Sequence, residues 1–152
     1  MTRRLLRARG LSLAELLLGL AIGALVLAPL GPMLQSAGAA ARVAADQVAL
    51  ERDADFALDR IAARIRSTAA GPALTDKPSS EWLKPAVYSV ADGMLVEQQG
   101  KDSYVLAESV NSFSLTASST EAGQPLLTVR LDLARGSAST STAASVRMGS
   151  DL

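Results

Sequence analysis

The segment GLSLAELLLGLAIGALVLAPLGPML, residues 10–34, decides how the rest of the chain is read. Glu15 is its only charged residue, and after it no charge occurs until Arg42. Leu16 to Leu34 is a run of 19 uncharged residues. As a helix that run rises about 28 Å, close to the roughly 30 Å of a bilayer's hydrocarbon core. Arg3, Arg4, Arg7 and Arg9 precede it, and such a basic flank stays on the cytoplasmic side while the segment behind it inserts. A carboxylate inside a membrane helix costs roughly 2.5–3.5 kcal/mol at mid-depth and less near an end, so a lone glutamate there is normally paired or functional.

Three readings of this start compete. A secretory signal peptide would be cut near Ala37-Gly38-Ala39, an A-x-A match. The apolar run is longer than such a segment needs, and Glu15 falls inside it. A plain single-pass anchor leaves Glu15 unexplained. The third reading rests on Gly10-Leu11-Ser12-Leu13-Ala14-Glu15-Leu16, which resembles the prepilin motif of type IV pilins and type II secretion pseudopilins. In that family a short basic leader ends in Gly, a membrane prepilin peptidase cuts after it, and the new N-terminus is N-methylated. The fifth residue of the mature chain is Glu. The resemblance therefore implies a leader at residues 1–10, a cut between Gly10 and Leu11, methylation of the Leu11 amine, and Glu15 as the assembly residue. In the family that Glu pairs with a neighbour's N-terminal amine. Both charges are costly alone in lipid and tolerable when paired across two helices. The sequence departs from the commoner pattern at Leu11, usually Phe, and at Ser12-Leu13-Ala14, more often Thr-Leu-Ile.

Within the apolar run, Gly19 and Gly23 form a G-x-x-x-G step. It suits close helix approach, although glycine is frequent in membrane helices generally. Pro29 and Pro32 each remove a backbone donor, so a kink or local opening is expected near Ala28–Pro32. Residues 11–34 are thus read as a transmembrane or filament-core segment. Residues 35–70 continue as an amphipathic helical half. There Leu50, Ala54, Leu58, Ile61 and Ile65 form one apolar stripe, which Val43 begins less regularly. Arg42, Asp46, Glu51, Arg52, Asp55, Asp59, Arg60 and Arg64 occupy much of the remainder, and Ala69-Ala70-Gly71-Pro72 stops the helix.

Residues 71–152 read as a β-rich soluble region. Strands are expected at residues 86–90, 94–98, 103–107, 110–117 and 126–133, with turns at Asp92-Gly93 and Gly100-Lys101. Gly136–Ser141 is expected to be a mobile polar loop before a last short strand at Val146–Met148. Trp82 is expected to anchor the 71–85 connection. The expected fold is α+β, a long N-terminal helix packed on one small antiparallel sheet of four to six strands.

Composition narrows the chemistry. The chain has 152 residues, no Cys, no His, and 15 basic against 15 acidic residues. Thiolate metal sites, cysteine nucleophiles and the commonest general base are excluded. A zero net charge gives no sign of a nucleic-acid partner. Asp76, Asp92, Asp102 and Glu121 are scattered without a calcium-loop spacing. No cofactor, metal or catalysis is expected. Tyr88, Gly93-Met94-Leu95, the run from Leu106 to Phe113, and Ala144 to Met148 loosely resemble J-type minor pseudopilins and W-type minor pilins. This resemblance implies a minor subunit of a pilus or secretion pseudopilus, acting in initiation or at the tip. Its partners would be prepilin peptidase and other pilin-like subunits. It would sit in a bacterial inner membrane with one span, its soluble region in the periplasm. The alternative is a membrane-anchored or secreted small binding domain unrelated to filaments.

Overall fold

A computed structural model describes residues 12–69, 77–118 and 125–149. The chain divides into two compact units, Met1–Ala41 and Arg42–Leu152.

In the first unit, helix α1 runs Leu13–Leu27 and helix α2 begins at Leu30. Ala28 and Pro29 lie between them. Ala28 N–H closes the last turn on Ala24 C=O at 2.9 Å, and Met33 N–H returns to Pro29 C=O at 3.4 Å. Pro29 has no N–H to continue the ladder, so the regular pattern is interrupted there. Pro32 sits in the first turn of α2, where backbone N–H groups have no partner inside the helix in any case. No residue of α1 is buried. Leu13, Leu17, Leu20 and Leu25 are all more than half exposed. An apolar, unburied helix surface of this kind is compatible with a lipid-spanning segment. The helical stretch Leu13–Ser67 is the one among the described residues long and apolar enough to cross a membrane.

In the second unit, α2 continues to Ser67 and turns one face inward: Leu50, Ala54, Ala57, Leu58, Ile61, Ala62 and Ile65 are buried. Those positions extend the stripe read from the sequence by two alanines. Val43 does not belong to it: it is 40 % exposed, and burial begins at Leu50. The helix end is well satisfied. Ser67 and Thr68 hydroxyls donate to Arg64 C=O at 3.0 and 2.8 Å.

The strands form two antiparallel sheets, which corrects the expectation of one. β1 (Ala86–Ala91), β2 (Met94–Gln99) and β3 (Asp102–Ala107) make the first, in that order. β4 (Val110–Ser118), β5 (Leu126–Arg135) and β6 (Ala138–Arg147) make the second. The two are separate because β3 lies on one edge of its sheet and the chain then turns through Glu108-Ser109. Ser109 takes a left-handed conformation (φ 58°), and Val110 N–H reaches Gly93 C=O at 2.8 Å. β4 thus starts beside the β1–β2 hairpin tip instead of pairing along β3.

The second correction concerns residues 136–148. The expected loop and short final strand are one ten-residue strand, β6, paired with β5 from Arg135↔Ala138 to Leu126↔Arg147. Its Ser, Thr and Ala residues supply little apolar alternation. What holds it is the full ladder to β5, whose Leu127, Val129, Leu131 and Leu133 are buried. The hairpin turns at Gly136-Ser137 with Gly136 at φ 59°, the first-position glycine that a two-residue turn of this kind requires.

The core combines the α2 face with Leu83, Ala86, Tyr88, Leu95, the β5 leucines and Met148, with Trp82 and Phe113 packed against it. The arrangement is α+β, a helix on antiparallel sheets, and is consistent with a pilin-like fold. Beyond β6 the chain is tied to the end of α2. Gly149 N–H donates to Thr68 C=O at 3.0 Å, and Ala69 bridges Gly149 in parallel. A Cβ on Gly149 would lie 2.5 Å from Arg66 O. Gly149→Ala is therefore expected to cost about 1–3 kcal/mol, the usual range for forced overpacking. Thermal unfolding of the detergent-solubilised chain checks this, and an unchanged midpoint would contradict the close approach.

Candidate functional site

Glu15 occupies the third position of α1, within a capping box. Ser12 is the N-cap: its hydroxyl accepts from Ala14 N–H at 3.3 Å, and Ser12 N–H donates to Glu15 Oε2 at 3.2 Å. The carboxylate thus satisfies one of the orphan donors at the helix start and faces the positive end of the helix dipole. The Ser12-x-x-Glu15 spacing carries this information in the sequence, and the sequence reading missed it. Glu15 has a role inside its own chain before any neighbour is considered. Gly10 and Leu11, the expected cleavage pair, lie outside the described residues. Gly19 and Gly23 face open space, where an added Cβ meets nothing within 4 Å. Among the described residues their lack of a side chain serves no contact.

The other concentration of chemistry is Glu97, which sequence reasoning also missed. It lies on β2 two residues after Leu95, so both side chains point to the same inner face. Both are 0 % exposed. Arg60 and Arg64, one turn apart on α2 beside buried Ile61 and Ile65, close over it. Arg60 Nε donates to Glu97 Oε2 at 2.9 Å and Arg64 Nη2 to Oε1 at 3.4 Å. Tyr88 O–H from β1 donates to Oε1 at 3.0 Å, and Arg64 also reaches Gln99 Oε1 at 3.1 Å. The charged face of α2 is therefore not all solvated, as an amphipathic reading implies. Part of it clamps the first sheet.

Burial by itself pushes the Glu97 carboxyl upward. The hydrogen bonds from Arg60 and Tyr88, with the charges of both arginines, outweigh that and hold it below the ordinary carboxylate range. An acceptor engaged by three donors and closed to solvent is built as a structural lock between α2 and the first sheet. Burial, together with the neighbouring Glu97 charge, pushes the Tyr88 hydroxyl from its usual 10 up to about 12. Because the folded value is the higher one, this contribution is fully present below pH 10 and lost as pH rises towards 12. The loss amounts to about 2–3 kcal/mol at 1.36 kcal/mol per pH unit. Stability is expected to fall over that window in the parent chain and to fall less in Tyr88→Phe. Equal slopes in denaturant titrations would contradict this.

Among the described residues no three His, Cys, Asp or Glu side chains converge to hold a metal ion. The chain matches no family model, no curated protein and no solved structure.

Proposed function

We propose that this chain is a minor pilin or pseudopilin subunit. In this reading it enters a bacterial inner membrane, is cut between Gly10 and Leu11 by prepilin peptidase, and is methylated on the Leu11 amine. It then joins other pilin-like subunits in a type IV pilus or type II secretion pseudopilus, in an initiation or tip complex. Its work is assembly; catalysis is done to it. One observation carries the reading. A helix start with no residue buried in its own chain holds a single carboxylate in its first turn, directly after the prepilin-like Gly10-Leu11 sequence. The capping box uses that carboxylate locally, and the prepilin-like spacing from Gly10 gives it a second use that a lipid span alone does not have.

A second reading is a membrane-anchored binding domain. The capping box favours it, because Ser12 already gives Glu15 a partner. The two readings separate at Gly10. Gly10→Val is expected to leave the chain in the membrane, uncut, and absent from sheared or extracellular filament fractions. Filament incorporation equal to the parent would sink the pilin reading.

A further inference from the structure

We propose that the cleft between the free edges of β1 and β4 binds an uncharged, extended segment of another polypeptide by strand addition. The cleft lies wholly within the second unit, so the proposal does not rest on the reading of the N-terminus. β1 pairs only with β2, and β4 only with β5, so each is an outer strand of its sheet. The hydrogen bond from Val110 N–H to Gly93 C=O sets the start of β4 beside the end of β1. From there β4 runs back along β1, and residues 88–90 and 113–115 line an opening of about 390 Å³ together with Ser79, Ser80 and Leu83. The Tyr88 and Phe113 rings, with centroids 6.4 Å apart, meet beneath it.

The backbone on both walls says what fits. Asp92 and Gly93 have φ of 51° and 72°. In such a two-residue turn the flanking pair, here Ala91↔Met94, exchanges both hydrogen bonds. By alternation Ser89 and Val87 also turn their N–H and C=O to β2, while Tyr88 and Val90 turn theirs to the cleft. Ala86 shares that outward phase, and its N–H leaves the sheet to reach Leu83 C=O at 3.0 Å. On the other wall, the Gly136-Ser137 turn makes Arg135↔Ala138 an exchanging pair. Counting from it, Arg130 turns its backbone to Ser114, and Phe113 and Leu115 turn theirs outward. Among the described residues, the backbones of Tyr88, Val90, Phe113 and Leu115 meet no neighbouring strand on that side. An extended chain supplies donors and acceptors at the matching spacing.

The side chains set the chemistry. On the inner face of β1, Ala86 and Tyr88 are buried, yet Val90 is 43 % exposed although Leu95 opposite it is fully buried. Phe113 and Leu115 are only half-buried, while Leu131 and Val129 opposite them are fully covered. Each apolar row thus loses its cover at the cleft. The free edge of β6 differs, because its half-covered inner residues are Thr140, Thr142 and Ala144, which tolerate water. No Asp, Glu, Lys or Arg lines the cleft, so a charge carried into it would lose water without gaining a counter-ion. β1 and β4 also lack the edge charges that discourage added strands. An uncharged strand with alternate apolar residues matches both the open backbone and the uncovered rows.

Amide hydrogen exchange on the full-length chain in detergent tests this, with short end-blocked peptides alternating Thr with Val, Leu or Ala as probes. At least one peptide is expected to slow exchange saturably and several-fold at Tyr88, Val90, Phe113 and Leu115, leaving Val87 and Ser89 unchanged. Methylating one alternate set of peptide nitrogens blocks pairing along one edge, and at least one of the two sets should abolish the effect. Val90→Lys should abolish it too, whereas Val90→Thr, and Ala143→Lys on β6, should retain it. Undiminished protection of Val87 and Ser89 shows that each variant is folded. No saturable protection with any peptide overturns the proposal. Protection that survives both methylated sets, or that falls on β6 instead, also overturns it. Protection that appears without peptide as protein concentration rises makes a second copy the occupant and overturns it equally.

Discussion

Replacing Arg60 and Arg64 together by methionine is expected to destabilise the chain by about 3–5 kcal/mol, because it leaves the Glu97 carboxylate buried without a cation. For a domain of this size that corresponds to a fall of roughly 10–20 °C in unfolding temperature. The reverse substitution should be milder. Glu97→Gln keeps the shape and the acceptor for Tyr88 and removes the buried charge, while the half-exposed Arg60 can turn to solvent. We expect a cost of about 1–2 kcal/mol, the range for a modified hydrogen-bond partner. The asymmetry between the two variants identifies a lock that holds α2 to the first sheet through one desolvated carboxylate. The pH dependence follows from the same geometry. Glu97 is held below its ordinary range in the fold, so its contribution is complete above an unfolded value of about 4.3 and fades as pH falls below that. The parent chain should lose stability in acid more steeply than Glu97→Gln. Unfolding curves in detergent between neutral pH and pH 3 measure this, and parallel curves would show that the clamp contributes nothing.

The second large effect is expected at Glu15. Glu15→Gln retains the capping box, since a glutamine at this position also accepts from Ser12 N–H. Glu15→Ala removes both the box and the charge. If the carboxylate serves only to start the helix, the alanine variant alone suffers, by about 1 kcal/mol of helix-start stability. If it pairs with a neighbour's N-terminal amine, both variants should insert normally and both should lose nearly all incorporation into filaments. The glutamine variant is the informative one, because it separates a local role found in the structure from the intermolecular role proposed for it. Normal incorporation of Glu15→Gln, read as the fraction of chain in sheared filaments, would remove the case for charge pairing.

What the sequence revealed and what it hid divide along physical lines. The α2 core face was legible because Leu50, Ala54, Leu58, Ile61 and Ile65 repeat at helical spacing and all five are buried. β1 to β5 were legible within about two residues because Asp92-Gly93 and Gly100-Lys101 mark turns between apolar runs. β6 was hidden because its strand character comes from pairing with β5, not from its own Ser- and Thr-rich residues. Only the Gly136-Ser137 pair signals the turn, and in a run of small polar residues that pair fits a loop equally well. The division into two sheets was hidden because strand patterns do not state pairing. It depends on the Glu108-Ser109 corner. Glu97 was hidden because a carboxylate in a strand reads as solvent-facing. Its inward register beside Leu95, and two arginines one turn apart next to Ile61 and Ile65, become meaningful only when helix and sheet are brought together. At the N-terminus the Ser12-x-x-Glu15 spacing encodes a capping box, so Glu15 carries a local role beside the one its place after Gly10 implies.

The prepilin reading stands or falls on how the chain begins once it is in the membrane. Intact mass and N-terminal peptide mass spectrometry of the chain extracted from the membranes of its own cell measure that directly. The proposed function requires a mature N-terminus at Leu11 carrying one methyl group, with Glu15 as the fifth residue. A chain still beginning at Met1, or one beginning near Ala40, would contradict it.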